Sequence, residues 1–271
     1  MRWEDNRESD NVEDRRGGGG FGGFGGRSIG IGTIVIALIG SYFFGVSPAT
    51  IISLLSGGPV PVSQQQAPAH KPPVDDPVAR FVSVVLADTE DVWGEIFKER
   101  GGQYVRPKLV LFSGRTPTAC GMGQTAVGPF YCPGDQKVYL DLQFFQTMRE
   151  RFHVASEFAE AYVIAHEVGH HVQNLTGIAD KVEQMRRGAS ERKSNALSVR
   201  MELQADCFAG VWAYHANRAR HILETGDVES ALKAASAIGD DTLQRQSQGV
   251  VVPDSFTHGT SEQRVRWFTR G

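Results

Sequence analysis

EFAEAYVIAHEVGHHVQ, residues 157–173, reads as one largely apolar helix carrying two histidines four positions apart. Residues at i and i+4 share a helix face about one turn apart, so His166 and His170 project their imidazoles the same way. That spacing lets two ring nitrogens reach one metal ion at about 2.0–2.1 Å. Glu167 points slightly round the helix, where it can sit beside a water on the ion instead of ligating it. Tyr162, Val163, Ile164 and Ala165 ahead of the pair, with Val168 and Val172 within it, make this an interior helix. Inward imidazoles there are costly unless something satisfies them, which weighs against a polar helix that binds nothing.

A catalytic zinc commonly takes three protein ligands and leaves a fourth place open. The best third ligand is Glu202 in VRMELQADCFAGVWA, residues 199–213, where Glu202 and Asp206 are again four apart. Glu202 can complete a His2Glu set, and Asp206, one turn on, can accept the free N–H of a ligand histidine and fix its tautomer. A solvated acidic helix edge is the other reading of that pair, opposed by the apolar residues around it. His171, His153, Asp180 and Cys207 stand as alternative ligands; His171 lies one residue off the ligand face, and Cys207 suits a small core position.

Around these two helices the chain reads as α+β, helix-rich with a small sheet. Phe81, Val85, Val92 and Ile96 mark an amphipathic helix over 78–99. KLVLF (108–112) reads as a buried strand, and KVYLDL (137–142) alternates as a half-buried one. That second strand, through Val138, Tyr139 and Leu140, is expected to be the edge along which an extended peptide pairs. Further helices are expected over 143–153, 157–175, 194–224, 228–238 and 260–269. Cys120 and Cys132 bracket GMGQTAVGPFY, and an oxidising compartment would let them form a disulfide contributing about 3 kcal/mol. Two free thiols are the alternative.

The chain has 271 residues, 28 basic and 31 acidic, with a formal charge of −3. That length allows one or two domains, and the charge gives no basic field for nucleic acid. Three cysteines are too few for a disulfide-built scaffold, so packing carries the fold. The averages hide an uneven front end. Residues 1–27 mix six acids with five arginines and run GGGGFGGFGG from Gly17 to Gly26, a composition expected to stay disordered. Ser28 to Val46 is nineteen residues without a charge, enough helix to cross a hydrocarbon core of about 30 Å. Residues 28–47 are therefore expected to form a single transmembrane anchor. Arg15, Arg16 and Arg27 precede it and the first lysine after it is Lys71, which orients the N-terminus to the cytoplasm and the rest outward, periplasmic or extracellular. A leader cleaved near Ala49 or Ala69 is the alternative, against which the long tail argues. Residues 48–77, rich in proline, read as a tether, leaving 78–271 as the folded domain.

Four blocks, GPFYCPGDQKVYLDLQFF (128–145), AHEVGHHVQNLTG (165–177), ELQADCFAGVWA (202–213) and SFTHGTSEQRVRWF (255–268), closely resemble the bacterial putative neutral zinc metallopeptidases. HEVGH with Glu202 and Asp206 resembles the gluzincins, zinc peptidases whose third ligand is glutamate. The resemblance covers most of residues 77–271 and implies a zincin-like domain holding Zn2+ behind a membrane anchor, with protein or peptide substrates. Glu167 would be the general base. His258 and Arg264 are the expected oxyanion donors, resembling the late histidine and arginine of the prenyl-protein-processing membrane gluzincins. A loop histidine and a surface arginine are the plainer reading, and Tyr131 is a further donor candidate. Two other functions fit the same residues: a catalytically silent zinc-binding module for envelope assembly, and an amidase acting on cell-wall peptide stems. Nothing in the sequence sets the oligomeric state.

Overall fold

The structure, a computed structural model, describes residues 1–16, 70–124 and 128–271. Asp76 opens the first long helix by accepting the backbone N–H groups of Val78 and Ala79, and Pro77 takes the first turn, where a missing N–H is no loss. The helix, α1 (Pro77–Glu99), buries Phe81, Val82, Val85, Val92 and Trp93.

Beside it lies a four-stranded sheet. Its strands are β1 (Val12–Asp14), β2 (Lys108–Phe112), β5 (Phe130–Cys132) and β6 (Lys137–Asp141), in the order β1-β2-β6-β5. β1, β2 and β6 run parallel, and β5 closes the sheet antiparallel to β6. A separate hairpin pairs β3 (Arg115–Thr118) with β4 (Gly121–Gln124). Leu109, Leu111, Val138 and Leu140 face the main core, while Val110, Phe112, Cys132 and Tyr139 form a second cluster on the other face. Tyr139 stacks on Phe130 with ring centroids 5.0 Å apart and donates its hydroxyl to Asp135 at 2.7 Å. The Cys120–Cys132 disulfide is formed and ties the hairpin to β5.

Two expectations need correcting here. Val138, Tyr139 and Leu140 do not form an edge. β6 lies between β2, which pairs with Lys137–Asp141, and β5, which pairs with Lys137, Val138 and Tyr139, so at Val138 and Tyr139 the strand is flanked on both sides. The sheet ends at β5.

Residues 1–16, moreover, are not a disordered tail. β1 extends the sheet, with Leu109 N–H donating to Asn11 O at 2.9 Å and Arg15 N–H to Leu111 O at 2.8 Å. Trp3 packs edge-on against Phe81, and Met1 and Val12 enter the core. The charges that suggested solvation find partners on the domain: Glu13 meets Lys108 and Lys137, and Arg16 meets Asp76. His70 to Asp76 likewise belong to the domain and not to the tether, since His70 pairs with Asp14. The rest of the expected tail, the anchor and the tether up to Ala69 lie outside the described residues. Among the described residues, no helix is long and apolar enough to cross a membrane.

The chain then runs through α2 (Gln143–Arg151), α3 (Glu157–Leu175), α4 (Ile178–Arg186), α5 (Glu191–Arg220), α6 (Asp227–Ala237), α7 (Asp240–Gln248) and α8 (Ser261–Arg270). α3 is central, packed against α1, α5 and α6, which is why its residues are buried almost all round. α4 and α7 were not expected. α4 buries no residue and α7 is mostly polar, so neither carries the apolar period that marks a helix in sequence.

Candidate metal centre

The histidine helix α3 and the acid-bearing helix α5 cross where Gly169 faces Ala205. A Cβ on Gly169 would stand 3.0 Å from the Ala205 carbonyl oxygen and 3.1 Å from its Cα. Hydrogen alone at this position lets the two backbones close, and the closure carries Glu202 and Asp206 to the histidines. Gly169→Ala should therefore force the helices apart, costing about 1–3 kcal/mol by overpacking. A lower melting temperature together with weaker zinc binding is the expected result.

His166 Nδ1 lies 2.8 Å from Asp206 Oδ1, so its proton sits there, and His166 Nε2 faces Glu202 Oε2 at 3.2 Å. His170 Nδ1 lies 2.9 Å from Gln173 Oε1, and His170 Nε2 faces Glu202 Oε1 at 3.5 Å. Gln173 is fixed as the acceptor because its own amide nitrogen donates to Met201 O at 2.7 Å and to Gln204 Oε1 at 3.1 Å. With both Nδ1 protons turned outward, two ring lone pairs and a carboxylate converge, their ligand atoms within 4.8 Å of one another. Electron-rich groups gathered this way need a cation between them. The donor set therefore fits a metal, and His2Glu is a zinc set.

The electrostatics point the same way. Burial alone would lower the His166 pKa, but the carboxylates of Asp206 and Glu202 outweigh it and push it up to about 10. Burial opposes the charge on Glu202 as well, yet the two imidazoles hold it well below the usual carboxylate range. A bound cation takes over the part those ring protons play.

Glu167 lines the same cleft, of about 990 Å³, and its carboxylate makes no hydrogen bond among the described residues. Burial pushes its pKa up.

Asp206 is fully buried and serves three donors. His166 Nδ1 and the Tyr162 hydroxyl, at 2.6 Å, reach Oδ1, and Arg264 clamps both oxygens through Nε and Nη2, each at 2.9 Å. Arg264 is 3% exposed. Its guanidinium lines the cleft, donates to the Tyr162 hydroxyl at 3.2 Å as well, and braces the acid that orients His166, a second role beside the expected one as an oxyanion donor.

His258 does face the cleft, its side chain about half exposed. Asp240 holds it there: Oδ2 accepts the backbone N–H groups of Thr257, His258 and Gly259 at 2.8, 2.6 and 2.9 Å, and Oδ1 lies 3.2 Å from His258 Nδ1. The hydrogen bond to Asp240 raises the His258 pKa. In the sequence Asp240 is one acid at a helix start, and no local signal separates it from an ordinary cap.

Among the described residues, His166, His170 and Glu202 are the His, Cys, Asp and Glu side chains that gather closely enough to share an ion. His171 turns away. Its Nε2 donates to Val105 O at 2.6 Å, and its Nδ1 accepts from the Tyr131 hydroxyl at 2.9 Å. The Tyr131 proton is thus directed at His171 and away from the cleft. His153, Asp180 and Cys207 take no part in the set.

A family model described as "Putative neutral zinc metallopeptidase" matches residues 1–271. The uncharacterized protein YpfJ of Escherichia coli (strain K12) is 52% identical over 278 residues, taking in 100% of this chain and 94% of that protein. The uncharacterized protein Rv2575 of Mycobacterium tuberculosis (strain H37Rv) is 43% identical over 202 residues, 71% of this chain and 67% of its own length. No solved structure matches the chain.

Proposed function

The chain belongs to the putative neutral zinc metallopeptidase family, and from that premise we propose that it is a zinc-dependent endopeptidase with Glu167 as general base. One observation carries the reading. Two imidazole lone pairs and the Glu202 carboxylate meet beside an unengaged buried acid, in a cleft large enough for a peptide.

Held by His166, His170 and Glu202, zinc would supply Lewis acidity, polarising the scissile carbonyl and acidifying the attacking water. Glu167 takes the proton from that water and passes it to the leaving amine. His258, as an imidazolium held by Asp240, donates to the oxygen that gains negative charge. Asp206 keeps His166 in the tautomer that presents its Nε2 lone pair. An extended peptide adds to the outer edge of β5, because that strand ends the sheet and Phe130 and Tyr131 line the cleft.

Zinc analysis of the purified full chain, combined with cleavage of an unfolded protein, tests the proposal. One zinc per chain and cleavage that a chelator stops and zinc restores are expected. Tightly bound zinc with no cleavage of any polypeptide would instead favour the silent assembly module.

The Asp240–His258 pair adds a finer expectation. His258→Ala should lower kcat about 10²–10³-fold while zinc content stays the same, the usual loss of an oxyanion donor. The donor is the protonated ring, and the Asp240 carboxylate raises its pKa. Asp240→Asn removes that support, so activity should decline at a lower pH on the alkaline side of the kcat/KM profile. An alkaline limb that stays put in Asp240→Asn would take His258 out of the role.

A further inference from the structure

The ends of the 17–69 segment leave and rejoin the domain at one place. Asp14 N–H donates to His70 O at 2.7 Å and His70 N–H donates to Asp14 O at 3.0 Å, an antiparallel bridge. On either side of it, Arg16 Nη1 meets Asp76 at 2.8 Å and Lys71 Nζ meets Asp10 at 2.9 Å. Deeper in, Glu90 is 1% exposed and accepts from Ser9 Oγ at 2.6 Å, Asn11 Nδ2 at 2.7 Å and Arg7 Nη2 at 3.0 Å. Undocking residues 1–16 would strip a buried carboxylate of those three donors and leave β2 as an open edge.

Between these ends lies a stretch without charge from Ser28 to Ala69, beginning with the nineteen apolar and small residues through Val46. A helix of that length reaches across about 30 Å of hydrocarbon. Crossing once would put Arg16 and His70 on opposite faces of the bilayer, which their paired neighbours forbid. Exchange of the N-terminal segment between copies offers no escape, because every copy would have the same sidedness. The charge asymmetry that favoured a crossing also weakens. Arg15 pairs with Glu13 at 2.8 Å, and Arg16 pairs with Asp14 and Asp76, so two of the three arginines on which that asymmetry was counted are built into the domain.

We infer that residues 1–16 and the metal-site domain lie together on one face of a lipid bilayer. This replaces the arrangement expected from charge counting, with the N-terminus inside and the domain outside. It does not depend on the peptidase reading.

Single-cysteine labelling of the full chain in its native membrane tests this. Asp5→Cys and Val74→Cys, both at exposed positions, are made in a Cys207→Ser background. They are treated with a membrane-impermeant maleimide on intact spheroplasts and on inverted vesicles, and labelling is read at each peptide by mass spectrometry. Both positions should label from the same face and fall below detection from the other. Labelling from opposite faces overturns the inference, and so does release of the protein by a carbonate wash. Asp10→Cys with Lys71→Cys gives an independent check, since those side chains already touch. Mild oxidation in the membrane should yield the cross-linked peptide pair. Its absence, with each cysteine shown to be reactive, would mean that the two ends are not joined in the membrane-bound protein.

Discussion

Glu167→Gln should leave one zinc on each chain and lower kcat for peptide cleavage by about 10²–10⁴-fold, the range that a positioned general base contributes. The substitution keeps the shape and hydrogen-bonding reach of the side chain while removing its ability to take a proton. His166, His170 and Glu202 are untouched by it. Glu167 makes no hydrogen bond among the described residues and burial disfavours its charge, so melting of the zinc-free protein should not fall. Burial raises the Glu167 pKa, which suits a group that must accept a proton and then release it to the departing amine. Measuring zinc, melting temperature and kcat on one preparation separates the outcomes. Loss of zinc would make Glu167 a ligand or a brace, and turnover like that of the wild type would remove it from the chemistry.

The part of this centre that sequence reveals is the part governed by helical spacing. His166 and His170, then Glu202 and Asp206, are each four apart, and a regular helix turns that number into a shared face without further information. What the crossing of the two helices needs is invisible in either alone: Gly169 matters because of Ala205, thirty-six positions on. The clamp on Asp206 is hidden for the same reason. A resemblance to the late histidine and arginine of other zinc peptidases paired Arg264 with His258 at the oxyanion, and nothing local in the sequence shows that α8 also sets its guanidinium on Asp206. The edge strand β5 is three residues long, too short for any alternation to register, so the longer β6 was read as the edge of the sheet. Residues 1–16 illustrate the limit of composition. Charge density stands for solvation only when the charges have no partners, and Arg7 finds one in Glu90, about eighty positions away, where the uncharged Ser9 and Asn11 also donate.

Arg264→Met distinguishes a brace from an oxyanion donor, and its expected cost is the largest of any single change considered for stability. Removing one partner from a buried ion pair leaves the other charge uncompensated, a loss of about 3–5 kcal/mol. Here the abandoned partner is Asp206, fully buried and held down to about 2 in pKa, against the opposing effect of burial, by Arg264 and His166. Without the clamp, Asp206 is less firmly oriented, and the His166 ring with it. Loss of such an outer partner typically weakens a metal about 10–100-fold. The expected signature is therefore a lower denaturant midpoint and weaker zinc in competition with a chelator, with much of kcat surviving once zinc is saturating. An oxyanion donor would give the reverse: stability and zinc affinity intact, with kcat alone reduced. The double variant Asp206→Asn with Arg264→Met sharpens the distinction. If the cost of the single change is a stranded carboxylate, neutralising that carboxylate should recover part of the stability, so the two substitutions together should cost less than their sum. Strict additivity would mean that Arg264 does not act through Asp206.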